Sequence, residues 1–371
     1  MDPIRILKRA WHILWQYRAL WIFGLILALT VGGTSGSGGG RASSNINRPE
    51  SGQMNPAYNQ TMPKSFAEAW SMAQKAITDG VNSVDWLKNN WTAILWVIAI
   101  FVLVMLLIGV IMTIARYVSE TSVIRMVDEY EASGTKMSVR QGFKLGWNRT
   151  SWRLFLIDLL VSLPMLVLFA ALCLPGYFMV KMIMAHQAPF AVTGFVGLII
   201  AIVSIIFVMV VVGVLLDLLR TFFWRTCALE NTGVMESIKR GFRLVGKNWK
   251  SVGLMWLIML GVSIVWMIAI AITAILLIPV VIITAVIAAL VSAVPGLLLV
   301  GIFSIFLSGP APWIAAAVFI LPLFITVATS PWTLVSGWKL LYDSIVWTLT
   351  YREIKTLPVL AAGAAPEVLE A

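Results

Sequence analysis

Six long apolar runs, separated by short charged segments, dominate the hydropathy pattern of the chain. Each run approaches the ~20 residues that a helix needs to cross the ~30 Å hydrocarbon core of a bilayer. Solid apolar runs, rather than segments of about ten alternating residues, exclude a membrane β-barrel. The pattern predicts an all-α, polytopic membrane protein with about six transmembrane helices. They are expected at roughly 17–33, 92–116, 154–174, 191–217, 252–278 and 311–337.

One further apolar segment, 279–310, carries no charge and makes the number of spans ambiguous. Pro295 divides it into halves of 279–294 and 295–308, and each half is short for a span. A re-entrant or interfacial hairpin fits the segment if other parts of the protein cover its backbone. Two extra short spans, giving eight in total, are the alternative.

A cassette of residues occurs twice at an offset of 99 positions. The first copy reads EYEASGTKMSVRQGFKL and ends at Leu145, and the second reads ALENTGVMESIKRGFRL and ends at Leu244. Weaker echoes at both ends of the chain predict one membrane domain, 1–371, built from three two-span repeats. The repeats are 3–134, 135–233 and 234–357, with an extracytoplasmic insertion at 33–90 and a tail at 358–371.

The cassette predicts a turn between two helices. Gly134 and Gly233 suit helix ends that require positive φ. Ser138 and Ser237 suit the N-cap of the next helix, and Gln141 completes a capping box with Ser138.

A glycine in each of the following helices, Gly142 and Gly241, costs ~1 kcal/mol relative to alanine. We therefore expect close packing at both positions.

The cassette helices carry basic residues beside an apolar, aromatic face. This arrangement is typical of helices at the membrane surface, where basic side chains extend toward anionic headgroups. The membrane-surface residues are predicted to be Lys8, Arg140, Lys144, Lys239, Arg243 and Lys247.

Charge distribution gives the expected orientation. The chain is 60% hydrophobic and 12% charged, with a net charge of +10. If the N-terminus is cytoplasmic, 21 of the 27 lysines and arginines lie in cytoplasmic segments. This positive-inside pattern predicts a multi-pass protein of the cell membrane with both termini in the cytoplasm. The bases lie in short juxtamembrane loops, so lipid headgroups rather than nucleic acid are the expected partner.

The N-terminal run also resembles a signal peptide, so cleavage is an alternative to a retained span. The tryptophans that precede the run and its similarity to the cassette favour a retained span. In the insertion, apolar residues between 66 and 87 recur every three or four positions and predict an amphipathic helix.

Two acids, Asp158 and Asp217, lie within the apolar runs. Intramembrane acids are candidates for an ion or proton site. Both lie about one turn from the cytoplasmic end, and Arg220 follows Asp217 at i+3. Structural pairing at the interface is the favoured interpretation.

Glu131, Glu230 and Glu353 recur at corresponding places in the repeats. They are expected to pair with the basic cassette helix of an adjacent repeat. A cytoplasmic ring of acids that binds a cation or a partner is the alternative.

The sequence contains no catalytic set that shares one side of the membrane, and no HExxH or CxxC motif. The analysis of motifs therefore predicts no enzyme activity, no cofactor and no metal. Tryptophans near the span ends are explained by an aromatic belt.

The blocks S-[VI]-[RK]-x-G-F-[KR]-L at 138–145 and 237–244 each open an apolar run. In this respect the chain resembles the membrane region appended to some glycerophosphoryl diester phosphodiesterases, and related multi-pass families. The resemblance implies a helical membrane domain. The soluble phosphodiesterase barrel of those enzymes is missing from this sequence, so their activity is not implied.

Two functions follow as hypotheses. The first is a non-enzymatic membrane protein that organises or senses the membrane, or scaffolds partners, through its basic helices. The second is a transporter or lipid-handling protein with a pathway between the repeats. The lack of charges at mid-membrane disfavours an ionic substrate but not a lipid.

Overall fold

A computed structural model describes residues 1–31, 91–184, 191–307 and 311–363. Helices make up 93% of these residues, and no strand occurs among them, which confirms the all-α class. We number the helices of the described residues α1 to α10. Their bounds are Pro3–Gln16, Ala19–Val31, Trp91–Ser133, Val139–Gly146, Arg149–Met184, Ala191–Glu230, Val234–Lys247, Trp249–Phe303, Ala311–Ala328 and Ser330–Gly363.

Five helical segments of the described residues are long and apolar enough to cross a membrane. In the most apolar window of the first and third segments, no residue is buried inside the protein. Apolar surface of that extent is stable only in contact with lipid. The chain is therefore a multi-pass membrane protein. The segments are Leu95–Ser133, Arg149–Leu174, Ile199–Glu230, Trp249–Phe303 and Ala311–Ala328.

The expected first span, 17–33, is covered over its described part by helix α2, Ala19–Val31, and stays a prediction as a crossing of its own. Helix α2 has 13 residues and is about 20 Å long, well short of a bilayer core. It meets α1 at a bend of 100°, and the bent pair qualifies as a span only when both helices are counted together. Leu20, Phe23 and Leu27 of α2 are buried, so this helix packs into the protein.

The expected last span, 311–337, is wrong in its extent. Helix α9 ends at Ala328, and α10 begins at Ser330 after a turn at Thr329. Pro331 lies in the first turn of α10, where a missing backbone N–H costs nothing. The apolar run is therefore divided between two helices.

The segment after 278 forms neither a hairpin nor two extra spans over its described part. Helix α8 runs without interruption from Trp249 to Phe303 and contains both Pro279 and Pro295. Each proline removes one backbone hydrogen bond, which membrane helices tolerate where neighbouring groups satisfy the freed carbonyl. Proline was therefore a poor guide to the end of this helix.

The chain divides into two compact units. Unit one contains Met1–Val31, Met112–Thr273 and the chain from Leu334. Its largest core cluster joins side chains of α1, α2, α3, α8 and α10.

Unit two contains the described residues 91–111, 274–307 and 311–333. The Phe319 ring lies 5.2 Å from that of Phe101 and 5.6 Å from that of Phe303. The division into three repeats stays a prediction. The insertion 33–90, with the amphipathic helix predicted in it, lies wholly outside the described residues, as do 364–371 of the tail.

The first cassette turns as expected. Gly134 has φ 71°, and Ser138 is the N-cap of α4 with a complete capping box to Gln141.

The second cassette differs from the prediction. Asn231, with φ 54°, takes the left-handed position, and Gly233 is the N-cap of α7. Ser237 is buried inside the helix, where its hydroxyl donates to the Gly233 carbonyl at 2.7 Å. Asparagine tolerates positive φ better than most residues, so the chain turned two residues earlier than the glycine indicates.

Close packing at the two helix glycines is confirmed. A Cβ atom on Gly142 would lie 2.8 Å from the Phe23 ring, and one on Gly241 would lie 2.5 Å from the Phe223 ring. Real Cβ atoms do not approach other atoms so closely. Each glycine therefore lets its cassette helix contact a neighbouring helix of unit one.

Candidate functional site

The two intramembrane acids share one arginine. Asp158 on α5 accepts a hydrogen bond from Arg220 Nη1 at 2.9 Å and one from the Tyr117 hydroxyl at 2.5 Å. Asp217 accepts from Arg220 Nη2 at 2.6 Å, as its i+3 spacing predicted. The guanidinium also lies 5.0 Å from the centre of the Trp224 ring. The structure therefore brings both predicted residues together on α5 and α6.

This arrangement favours a structural role. A guanidinium presents several donors in one plane and can satisfy two carboxylates at once. The Asp158 side chain is 19% exposed and has a partner on each oxygen. Because both acids already have partners, the cluster offers little to a bound ion.

The recurring glutamates are paired, although not all with the expected partner. Glu131 accepts from Arg9 of α1 at 2.8 Å, within the same predicted repeat. Glu230 contacts Arg240 of α7 and Lys355 of α10, each at 3.0 Å.

Glu353 accepts from the backbone N–H of Asp2 at 3.0 Å rather than from a basic side chain. The three acids, on α3, α6 and α10, thus each contact another part of unit one. Each has a partner among the described residues, which does not favour a ring of acids that binds a cation.

The six predicted membrane-surface bases are all exposed. None of them forms an ion pair with another described residue, in contrast to Arg9 and Arg240. Large aromatic side chains of the same cassettes are exposed beside them, at 73% for Trp147, 62% for Phe242 and 66% for Trp249. Unpaired bases next to exposed aromatics are suited to a headgroup region.

A buried polar cluster surrounds Arg225 of α6, whose side chain is 2% exposed. It donates to the carbonyls of Thr221 at 2.7 Å and Ser344 at 3.0 Å. The Ser344 hydroxyl in turn donates to Glu120 at 2.8 Å. Arg225 is one of the bases that the positive-inside pattern assigns to cytoplasmic segments. The apolar neighbours Phe223 and Trp224 were the available signal that it is buried.

Tryptophans from three helices form a second cluster in unit one. The rings of Trp15, Trp21 and Trp338 lie 5.4 to 5.8 Å apart in all three pairs. Trp11 extends the cluster, 5.8 Å from Trp15 and 6.1 Å from Tyr342. Aromatic pairs at these distances are favourable beyond the area they bury. Their positions near the span ends predicted an aromatic belt, and their contact with each other was not predicted.

This cluster lines a cavity of about 140 Å³, together with Trp266, Lys339 and Asp343. Lys339 Nζ donates to Asp343 Oδ2 at 2.6 Å. Although the Asp343 side chain is 26% exposed, its Oδ1 atom is buried and has no hydrogen-bond partner among the described residues. Burial raises the pKa of the Asp343 carboxyl, and the Lys339 ammonium opposes that shift. The cavity thus combines aromatic walls with one opposite-charge pair.

The described residues contain no group of three or more His, Cys, Asp or Glu side chains that could hold a metal ion. Their chemistry consists instead of two arginine-centred clusters, an exposed basic surface and the tryptophan-lined cavity.

These features define a multi-pass helical membrane protein whose unit one contains a packed core with buried charged groups. The chain belongs to a family of unknown function, DUF7544, which matches residues 8–340. No curated protein and no solved structure matches the chain.

Proposed function

We propose that the chain is a non-enzymatic protein of the cell membrane whose basic cassette helices bind anionic lipid headgroups on the cytoplasmic side. The supporting observation is the contrast in pairing. The six membrane-surface bases are exposed and form no ion pair with another described residue, whereas the acids at the helix ends have partners within the protein. Through this surface the protein organises or senses the membrane, or holds partners at it.

The geometry supports the proposal because the bases lie on three separate helices, α1, α4 and α7. Each Lys or Arg close to an anionic surface contributes roughly 1 kcal/mol to binding. Exposed aromatic rings such as Phe242 and Trp249 add apolar contact at the same level of the bilayer. The proposal includes both termini in the cytoplasm, in keeping with the positive-inside pattern.

The test removes charge from one cassette. In the protein reconstituted into mixed bilayers, Lys239→Gln, Arg243→Gln and Lys247→Gln are combined. Electron paramagnetic resonance of spin-labelled lipids then measures the preference for phosphatidylglycerol over phosphatidylcholine. Loss of three bases should lower that preference by up to about a hundredfold. Added salt should shrink the difference because it screens exposed charges.

A matched control removes the same charge from the insertion, as Arg41→Gln, Arg48→Gln and Lys64→Gln. These residues are predicted to lie on the other side of the membrane, so this variant should keep the lipid preference. Equal preferences in the wild-type protein and both variants would contradict the proposal. A larger effect in the control would instead reverse the proposed orientation.

A second candidate function is lipid handling, which the tryptophan-lined cavity favours. A protein that moves lipid would transfer labelled lipid between the leaflets of proteoliposomes. Unchanged lipid transfer in an Asp158→Asn, Asp217→Asn double variant would show that the transfer is not coupled to an ion bound at these two residues. The resemblance to membrane regions of glycerophosphoryl diester phosphodiesterases stays a prediction, and this proposal does not depend on it.

A further inference from the structure

The cavity of unit one has apolar walls. Apart from one lysine–aspartate pair, the described residues that line it are aromatic or aliphatic, and they come from α1, α2, α8 and α10. The rings of Trp15, Trp21 and Trp338 lie 5.4 to 5.8 Å apart and form a continuous aromatic wall. Val262 and Trp266 of α8 also belong to the lining. A cavity of this composition is suited to an apolar ligand.

The charged pair of the lining offers no free charge to a ligand. Lys339 Nζ and Asp343 Oδ2 contact each other at 2.6 Å, so each charge is already compensated. A ligand with a net charge would have to break this contact or remain unpaired, and both are costly in a partly buried site. The cavity therefore disfavours ions and carboxylates and favours an uncharged group.

The size of the cavity corresponds to a short stretch of hydrocarbon. Its volume is about 140 Å³. An engineered apolar cavity of about 150 Å³ in another protein stays dry and binds benzene. Water is held poorly in such a space because each molecule needs roughly two to four polar partners. A few carbon atoms of an aliphatic chain would fill the cavity and supply dispersion contacts to its walls.

Lipid chains around the protein have access to the cavity. Trp11 and Trp15 line it and are themselves exposed. On α8, Val265 directly precedes the lining residue Trp266 and is 67% exposed. Exposed apolar side chains on a helix of membrane-spanning length face lipid, so the cavity lies beside a surface that acyl chains contact.

We propose that this cavity binds a segment of an acyl chain of a membrane lipid. The chain lies against the rings of Trp15 and Trp338 and against Val262, while the headgroup stays outside. Because the cavity contacts hydrocarbon, the headgroup does not determine binding. The inference rests on the membrane location that the proposed function includes, but not on the binding of anionic headgroups by the cassette bases.

Photo-crosslinking of the full chain tests the proposal. The protein is reconstituted into bilayers that contain a phosphatidylcholine with a diazirine in one acyl chain, and it is then extracted and washed in maltoside. Washing removes loosely held lipid before illumination, and peptide mass spectrometry locates the adducts. We expect adducts at Trp15, Val262 or Trp338, at least about tenfold more abundant than at the exposed Phe207 of α6.

Two further probes identify the source of the chain and the role of the headgroup. A phosphatidylglycerol with the same photoreactive chain should label the cavity to within about twofold of phosphatidylcholine. A photoreactive fatty acid should label it at least about tenfold less, because its carboxylate meets a charge pair that is already compensated. Stronger labelling by the fatty acid would overturn the assignment to a membrane lipid. A strong preference for phosphatidylglycerol would overturn recognition through the chain alone.

A pair of variants on α8 connects the labelling to the cavity. Val262→Phe places a ring in the cavity and should lower labelling at Trp15 and Trp338 at least about tenfold. Because it fills space, it should keep the unfolding midpoint at or above the wild-type value. Val265→Phe is the matched control, the same substitution at an exposed position outside the lining, and it should label normally. Equal labelling of the two variants would overturn the location.

The adduct map of the wild-type protein decides if far-UV circular dichroism shows that Val262→Phe fails to fold. Adducts concentrated at the three lining residues support the proposal, because washed protein keeps only lipid that is held at a site. Adducts spread evenly over the exposed surfaces of α6 and α8 would mean that the cavity takes up no chain, and the proposal is then overturned.

Discussion

The two cassette copies share most of their residues but start their helices differently. In the first, Gly134 takes the left-handed conformation and Ser138 caps α4, a helix of eight residues. In the second, Asn231 takes that conformation, Gly233 is the cap, and α7 has 14 residues.

The serine that caps one helix is buried inside the other. The glycine at the packing contact, Gly142 or Gly241, touches a neighbouring helix in both copies. The comparison shows that the packing contact is the common feature, whereas the capping residue adapts to the turn.

Replacing the serine of each copy with aspartate should give the largest difference in stability between the two copies. Ser138→Asp should leave stability almost unchanged, because aspartate is as good an N-cap as serine. Ser237→Asp should destabilise by more than about 3 kcal/mol, because it buries a charge beside the Gly233 carbonyl. Thermal unfolding in detergent, followed by far-UV circular dichroism, measures both. Similar midpoints for the two variants would mean that Ser237 is not buried.

Alanine substitutions at two glycines near the cassette ends should have opposite effects on stability. A Cβ on Gly146 would collide with Ser122 and with the backbone of Val118, so Gly146→Ala should destabilise by about 1–3 kcal/mol. Nothing lies within 4 Å of a Cβ on Gly246, and Gly246→Ala should stabilise α7 by up to ~1 kcal/mol. The same thermal unfolding experiment tests the pair. A stabilising Gly146→Ala would show that α3 and α4 are not in close contact.

The two turn glycines should differ by a smaller amount. Gly134→Ala forces a side chain into φ 71° and should cost ~1 kcal/mol. Gly233 has φ −68°, which any residue adopts, so Gly233→Ala should cost only a few tenths of a kcal/mol. Asn231→Gly is the informative partner variant, since it should be neutral or slightly stabilising. Equal costs at both glycines would indicate that the second turn also uses its glycine.

The smallest difference is expected at the glutamates. Glu230 contacts Arg240, Lys355 and the Tyr351 hydroxyl, whereas Glu131 contacts Arg9, which is 47% exposed. Glu230→Gln should therefore cost about 1 kcal/mol and Glu131→Gln only a few tenths. Unfolding midpoints at low and high salt measure both effects. A larger loss at Glu131 would argue that the α1 contact matters more than its exposure indicates.

Much of the helix pattern could be predicted because it depends on local composition. Apolar periodicity and length identify α3, α5 and α6, and the cassette identifies the turns that follow α3 and α6. Hydropathy measures how readily a side chain leaves water for an apolar environment. It carries no information on the angle between consecutive helices. The 100° bend after α1 and the turn at Thr329 were therefore missed. Pro279 and Pro295 led to the opposite error. They predicted breaks in α8, but the helix continues through both prolines.

The candidate sites were less predictable because they are not local in sequence. Asp217 and Arg220 lie three residues apart, and their pairing could be expected. Trp15, Trp338 and Trp266 come from distant helices, so spacing along the chain does not indicate that they share one cavity. Arg225 was counted only among the bases of the cytoplasmic segments, because residue type alone does not distinguish a buried guanidinium from a solvated one.

The contact between Gly24 and Gly337 has a consequence for the order of folding. A Cβ on Gly337 would lie 2.8 Å from the Gly24 carbonyl oxygen, so α2 and α10 approach each other through their backbones. These residues are more than 300 positions apart. At roughly 5–20 residues per second, α2 is synthesised on the order of 15–60 s before its partner exists.

The part of the α1 and α2 surface that packs against α10 must therefore wait until α10 has been made, although α3 joins the same core earlier. Ribosome-bound chains halted before α10 should show a protease-sensitive α1 that becomes protected in the full chain. Protection of α1 in the halted chains would mean that it finds another partner first. The earliest part of this protein to be made is then among the last to reach its native position.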